Sequence, residues 1–482
     1  MPAIQRPGER HGGTRPVRYA TPIQRQEGPY DAFLKAKRIV NRPSGFAVPR
    51  DALNRKLFEF QGDVVKWGLQ KGKCAGFEDC GLGKTPQELE WSHWVREHTD
   101  KPVLNVAPLA VSKQTEREGR KFGIPIHIAR EQSEAQPGLN ITNYDMLKNF
   151  NPLEFSGLVL DESSILKGDG PMRKQITEFA SHIPYRFAGT ATPAPNDYME
   201  LGNHAEFLGI MRKSEMLSTF FVHDGGDTSK WRLKGHAERD FWKWVASWAV
   251  MIRKPSDLGY EDDGFILPPI EYHQHTIEAE WTADYLFPVE AKTMQERRGA
   301  RRDSLIERVK LCAELVNASD EQWVLWCNLN PEGQALAKSI PGAVEVTGSD
   351  KDRHKEETPM RFVDGDIRVL VSKPSIFGFG MNFQNCHNAA FVGLSDSWEE
   401  VYQATRRVWR FGQKHKVQIH FITGELEGAV VRNIQRKEKQ TAEMAEAMLG
   451  HMREINAAEI HGTIRETEEY RPTKKVEIPA WL

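Results

Sequence analysis

Gly81, Leu82, Gly83, Lys84 and Thr85 lie in the stretch CAGFEDCGLGKTPQELEW, where small and apolar residues pass through two glycines into a helix pattern. Phosphate binding calls for this combination. Glycines let backbone N–H groups approach phosphate oxygens, and a helix N-terminus adds positive partial charge. The lysine meets the β- and γ-phosphates, and the threonine hydroxyl faces a Mg2+ ion. Pro86 is compatible, because it falls in the first helical turn. The strict pattern opens with glycine six residues before the lysine, and Glu78 stands in that place. A GKT alone is often chance, so the assignment needs a metal-binding carboxylate elsewhere in the chain.

FSGLVLDESSILKG supplies that carboxylate. The apolar run 157–160 ends in Asp161 and Glu162, at the end of a strand where open α/β sheets place their ligands. Alone, such a pair is more often a helix N-terminal charge pair. Behind a phosphate loop, it fits an Asp161 that holds Mg2+ and a Glu162 that orients or deprotonates the water attacking the γ-phosphate.

QATRRVWRFGQ, residues 403–413, holds three arginines. On a helix over 401–410, at about 100° per residue, Val401, Tyr402, Thr405, Val408 and Trp409 share one side. Gln403, Arg407 and Arg410 share the other, with Arg406 at its edge. If the apolar side packs on a second lobe, the Gln403/Arg407/Arg410 face projects at a phosphate held by Lys84, which suits permanently charged, planar guanidinium groups. Arg406 is expected to be solvated or to brush DNA. For an isolated helix, the alternative is a solvated basic face.

The elements that must position these residues read as α/β. KPVLNVAP, SGLVLDE and YRFAGTATP are short buried-strand patterns separated by helix-patterned sequence. A second set follows residue 300: EQWVLWCN, GAVEVTG, IRVLVSKP, NAAFVGLS and KVQIHFITG. Two α/β lobes are expected, at 46–204 and 301–440, with a mostly helical insertion at 205–300 and a C-terminal helix and tail at 441–482. In FWKWVASWAVMIRK, Phe241, Trp244 and Trp248 recur at helical spacing, which marks a core-facing stripe. Lys230, Arg232 and Lys234 around Trp231 are a better nucleic-acid candidate than that stripe.

The chain has 482 residues, enough for roughly two to four domains. With 39% hydrophobic and 27% charged residues and no long apolar run, it reads as a soluble globular protein without a membrane partner. The first residues lack a secretory apolar core, which points to the cytoplasm. Cys74, Cys80, Cys312, Cys327 and Cys386 show no paired spacing and read as buried free thiols. A net charge of -2 hides a basic first segment, flexible over 1–45. Residues 1–50 carry ten lysines and arginines against Glu9, Glu27 and Asp31. Such an arm is either a nucleic-acid contact or a solvated tail.

Taken in order, these residues resemble the Swi/Snf-like branch of the superfamily-two DEAD/DEAH helicases, over roughly residues 46–440. Phe60, Gln61 and Trp67 in FEFQGDVVKWG look like the adenine-reading Q motif, with Gln61 on the base. EDCGLGKT is similar to the family's phosphate loop. VAPLAVSKQTERE, with Pro108 and Ser112, and ITNYDML resemble the lobe-one segments lining the DNA track. DESSILKG has Ser163 and Ser164 where the family prefers a small residue and His. GTATPAPN resembles the coupling motif, with Thr190 and Thr192 linking ATP and DNA sites. RKPSDLGY followed by LPP resembles the link into lobe two. SKPSIFGFGMN looks like a DNA-contacting loop with Gly378, Gly380 and Asn382, and WEEVYQATRRVWRFGQ like the arginine-finger motif. VQIHFITGELEGAVVRNIQRKEK resembles the family's closing strand and brace helix.

The resemblance implies two tandem RecA-like domains, ATP and Mg2+ as ligands, and an ATPase that moves along duplex DNA without reading its sequence. Its compactness and short lobe connections look like those of phage-encoded members, which implies a host cytoplasm. Two rivals stay open: a strand-separating helicase on single-stranded DNA or RNA, and a nucleotide-gated clamp with little turnover.

Overall fold

A computed structural model describes residues 43–224, 227–277, 304–378, 380–395, 397–425 and 428–462. The expected basic arm, apart from its last three residues, and the tail after 462 lie outside them.

Two all-parallel sheets form the frame. The first contains β1 (Lys73–Glu78), β2 (Val103–Ala107), β3 (Ile126–Ile128), β4 (Leu139–Asn143), β5 (Gly157–Asp161), β6 (Tyr185–Thr190) and β9 (Ala249–Ile252), in the order β3-β4-β2-β5-β6-β1-β9. The second contains β10 (Ile270–Ile277), β11 (Trp323–Cys327), β12 (Ala343–Val346), β13 (Val369–Ser372), β14 (Asn388–Val392) and β15 (Val417–Gly424), in the order β10-β15-β14-β11-β13-β12. Every short apolar run singled out in the sequence is one of these strands. This is the tandem RecA-like α/β arrangement.

The central strands are buried on both faces, so they read as continuous apolar runs rather than alternating ones. Val103 and Val159 pack beneath α1 (Glu59–Lys71) and α2 (Lys84–Thr99), while Leu104, Leu158 and Leu160 face α4 (Pro171–Ser181) and α5 (Leu201–Leu208). Between them in sequence, α3 (Ser112–Phe122) follows β2. In lobe two, Leu325 and Val371 pack under α8 (Leu305–Asn317) and α9 (Asn330–Ser339). Val324 and Phe391 meet α10 (Asp352–Val363), the short α11 (Pro374–Phe377) and α12 (Trp398–Val408).

The segment expected as a helical insertion is only partly helical. It contains the end of α5, α6 (Lys213–Phe220), an antiparallel hairpin of β7 (Phe221–Asp224) and β8 (Asp227–Leu233), and α7 (Glu238–Ala246). It then gives β9 to the first sheet and β10 to the second, so lobe two begins near residue 270; residues 278–300 lie outside the described ones. Phe241, Trp244 and Trp248 are buried as the stripe required, but the helix stops at Ala246 and AVMI turns into strand. Beside Trp231, which stacks on His223, Lys234 donates to Ser218 O and Thr219 O, and its charge is committed to the end of α6.

The last helix, α13 (Gly428–Ile460), starts earlier than expected. Val430 and Ile434 sit in the lobe-two core, and Met448 and Met452 in the lobe-one core. Asn456 bonds Met251 N (3.1 Å) and Ala249 O (3.0 Å), covering the otherwise open edge of β9. All five cysteines are buried and free, and no described helix is long and apolar enough to cross a membrane.

Candidate functional site

β1, β5 and β6 are neighbours in the first sheet, and the phosphate loop, the acidic pair and the coupling threonines all leave their carboxyl ends. In the loop, Gly81 (φ 93°) and Gly83 (φ 79°) take left-handed conformations that other residues avoid. Space reinforces this. A Cβ on Gly83 would lie 2.3 Å from Gln61 Nε2, and one on Gly81 2.8 Å from the backbone nitrogen of Phe411 in lobe two. Lys84 Nζ donates to Glu78 O (2.9 Å) and Asp79 O (3.4 Å), and half-buried Thr85 follows in the first turn of α2.

Glu78, at the place of the missing first glycine, turns inward, where Gln87 Nε2 donates to its Oε2 (2.7 Å). Burial pushes its carboxyl up to about 7, against the pull of Lys84. Asp161 is raised to about 6 by burial and by Glu162, with Lys84 and Arg407 opposing. Glu162 has φ 57°, one of two positive-φ non-glycine residues described. For an L-residue that costs roughly 1–2 kcal/mol, and such strain gathers at functional sites. Buried Glu162 Oε2 and Glu88 Oε1 have no hydrogen-bond partner. Acceptors left open around a lysine fit a site that takes a hydrated Mg2+. Among the described residues, no three His, Cys, Asp or Glu side chains could hold a metal by themselves, so phosphate and water oxygens must complete any such sphere.

After Glu162 the chain has Ser163 and Ser164, and the first of these meets a histidine. Ser163 Oγ pairs with His204 Nε2 at 3.2 Å, from α5. Burial lowers His204 to about 4, so the imidazole is neutral. Nothing in the spacing, forty-one residues away, signals this contact.

From lobe two, Arg407 Nη2 reaches Gln403 Oε1 (2.8 Å) and stands 3.7 Å from Glu162 Oε1 across the cleft. α12 ends at Val408, two residues short of the expected helix, so Arg410 sits in the following turn. It still converges, because Arg407 Nη1 and Arg410 Nη1 both donate to Met381 O at 3.2 Å. Burial, with Arg407 beside it, lowers Arg410 to about 10. Cys80 Sγ of the phosphate loop lies 3.7 Å from Gln403 Oε1 and from Arg407 Nη2.

Arg406 departs from its expected place. It is 7% exposed and forms an ion pair with Asp79, inside the phosphate loop. The segment GTATPAPN also meets lobe two: Thr192 N donates to Thr190 Oγ1 (3.1 Å), Thr192 Oγ1 donates to Glu399 Oε1 (3.4 Å), Gln403 Nε2 donates to Thr192 Oγ1 (3.5 Å), and Lys167 pairs with Glu399.

Gln61 sits beside the loop with both ends of its amide occupied. Its Oε1 accepts from Phe58 N (3.0 Å), and its Nε2 donates to Leu82 O (2.7 Å). Trp67 Nε1 donates to Glu459 of α13 (2.9 Å).

The residues expected on the DNA track meet each other. Ser112 is 2% exposed, Pro108 is half-buried, and a Cβ on Gly380 would lie 2.2 Å from Val111 Cγ2. Gln114 bonds Gly380 O and Asn382 N, while Gly378 closes against Pro374 within lobe two. Lys113–Glu357 (3.4 Å), Arg117–Asp364 (2.8 Å) and Arg130–Glu356 (2.9 Å) join α3 and the loop after β3 to α10 and its C-terminal cap.

No protein-family model matches the chain. Human TATA-binding protein-associated factor 172 is 27% identical over 191 residues, covering 32% of this chain and 10% of that protein. The chain therefore spans about a tenth of the length of this curated relative. The solved structure titled Sulfolobus solfataricus SWI2/SNF2 ATPase core in complex with dsDNA aligns over 86% of this chain and 99% of that chain, at 16% identity and a TM-score of 0.41.

Proposed function

We propose that this chain, similar in motif order and in its two parallel α/β lobes to the Swi/Snf-like branch of the superfamily-two helicases, is an ATPase that moves along duplex DNA. One observation carries the reading. Arg407, on a lobe-two helix, faces Glu162 of lobe one at 3.7 Å, next to the loop that holds Lys84. An arginine delivered from a second lobe makes hydrolysis depend on closure, and such fingers are worth about 10³ to 10⁵ in rate. Closure and reopening then become a step along the DNA.

In this reading Lys84 and the loop N–H groups bind the ATP phosphates, and Glu162 orients or deprotonates the attacking water. Arg407 and Arg410, held by Gln403 and Met381 O, offset the charge that develops on the γ-phosphate. Thr85 and Asp161 are the residues that would hold Mg2+, which when bound neutralises phosphate charge. Thr190 and Thr192 pass closure to the DNA side through Glu399 and Gln403. DNA is held through its phosphates, so affinity falls with salt and varies little with sequence.

The test is phosphate release by the purified protein with duplex DNA, single-stranded DNA and RNA side by side. Stimulation by duplex DNA that disappears in Lys84→Ala and Glu162→Gln is the expected result. Stimulation by RNA alone would sink the DNA assignment, and no stimulated release with any nucleic acid leaves the clamp.

A further inference from the structure

We propose that Arg406 and Asp79 form a trans-lobe anchor that seats the arginine-finger turn on the phosphate loop, making Arg406 a positioning residue for hydrolysis. The proposal rests on the ATPase reading and adds to it a residue that reading does not use.

Three observations converge on Asp79. Arg406 Nη2 pairs with its Oδ2, Tyr402 OH donates to its Oδ1 at 2.8 Å, and Cys80 N donates to the same Oδ1 at 2.6 Å. The side chains of Arg406 and Asp79 are 8% and 12% exposed. The guanidinium is also sandwiched, with its carbon 4.8 Å from the Trp409 ring and 5.6 Å from the Tyr402 ring. Burial works against charge on both partners. Even so, Arg406 holds the Asp79 carboxyl below its ordinary range, and Asp79 raises Arg406. The two shifts agree in sign, as they must for a pair bound in its charged form.

Position gives the anchor its consequence. Asp79 directly follows β1 and lies five residues before Lys84; Arg406 directly precedes Arg407. The ion pair therefore ties the loop after β1 to the end of α12, which carries Arg407 and runs into the turn with Arg410. Phe411 N, in that same turn, lies where a Cβ on Gly81 would intrude, so the loop and the turn are in van der Waals contact. The fingers reach a γ-phosphate, whereas this anchor is complete on protein atoms alone. It keeps the fingers in place before ATP arrives, so less ordering is left for the transition state.

The experiment uses the full chain with single labels at Leu153→Cys in lobe one and Ile306→Cys in lobe two. Both positions are exposed, and the five native cysteines are buried. Inter-label distances are measured without nucleotide. ATP hydrolysis, with kcat and KM separated, and ADP binding are measured in parallel on Arg406→Ala, Asp79→Asn and the double variant. Expected are broader, longer distances in each single variant, a kcat/KM for ATP reduced about tenfold or more, ADP affinity nearly unchanged in Arg406→Ala, and a double variant no worse than the worse single. Unchanged distances and kinetics in both single variants overturn the proposal, as do losses that multiply in the double. Where a variant does not fold, Arg406→Lys is the comparison. It keeps the charge and should retain the narrow distances; distributions as broad as those of a lobe-separated chain overturn the anchor. A parent with no ATPase activity defeats the ATPase reading, while the distances still decide the anchor.

Discussion

Gln114 of lobe one accepts a hydrogen bond from the backbone nitrogen of Asn382 in lobe two at 2.8 Å, so two segments expected to line a DNA track hold each other instead. Around this contact, Lys113 and Arg130 are paired with Glu357 and Glu356 of α10, and Arg117 with Asp364 just after it. These basic side chains are occupied by carboxylates, and in the proposed reading a duplex would have to displace them to reach Ser112. Glu357→Gln combined with Asp364→Asn removes two of the competitors at half-exposed positions. Each surface pair is worth about 0–1 kcal/mol, so affinity for a labelled duplex at low salt should rise about three- to tenfold. The gain should shrink as salt is added. Fluorescence anisotropy over a salt series measures it, and equal affinity in parent and variant at low salt would show that α10 does not compete.

The finger residues should separate by kinetic signature. Arg407→Ala loses the group facing Glu162 and Arg410→Ala its neighbour on Met381 O. Both should lower DNA-stimulated kcat by about 10³ or more with ATP still bound. Arg406→Ala should act mainly through kcat/KM and lobe spacing. Identical kinetic profiles for all three would mean that they act as one basic surface.

The chain's strands were legible because parallel sheets bury both faces, and short apolar runs such as VLNVA and GLVLD have few other uses. The strand-end positions of the GLGKT loop and the DE pair were legible, because each follows a short apolar run, and the structure places them after β1 and β5 of one sheet. What stayed hidden depends on the second lobe. A helical wheel puts Arg406 about 40° from Arg410, but its edge position reads as solvent unless one knows that lobe one covers a wider arc, from Tyr402 through Arg407. His204 meets Ser163 from outside every quoted motif, and Glu399, inside WEEVYQATRRVWRFGQ, acts on Thr192 and Lys167 more than two hundred residues earlier. The helical stripe at 241–248 identified the core correctly but not the switch to strand, because AVMI is apolar enough for either.

Gln61 should behave as a support of the phosphate loop, since its amide is spent on Phe58 N and Leu82 O. Losing one buried and one part-buried hydrogen bond of about 1 kcal/mol each in Gln61→Ala should weaken ATP, GTP and inorganic tripolyphosphate by a similar factor, up to about thirtyfold. Competition binding with the three ligands measures this. Weakening confined to ATP would instead return Gln61 to base recognition.

Glu78 should make stability depend on pH. Burial raises its carboxyl from the ordinary 4.5 to about 7 in the folded chain. A raised folded-state value means that the folded state binds the proton more tightly than the unfolded state. Its contribution is therefore fully present below about pH 4.5 and is lost as pH rises through 7. Glu78→Gln stays neutral at every pH and keeps an oxygen for Gln87 Nε2. Without nucleotide or Mg2+, the variant should melt above the parent at pH 8, and the gap should close toward pH 5. Thermal melts at a series of pH values in one buffer of fixed ionic strength test it. A gap of constant size across the series would show that Glu78 does not titrate there and is held ionised by Lys84.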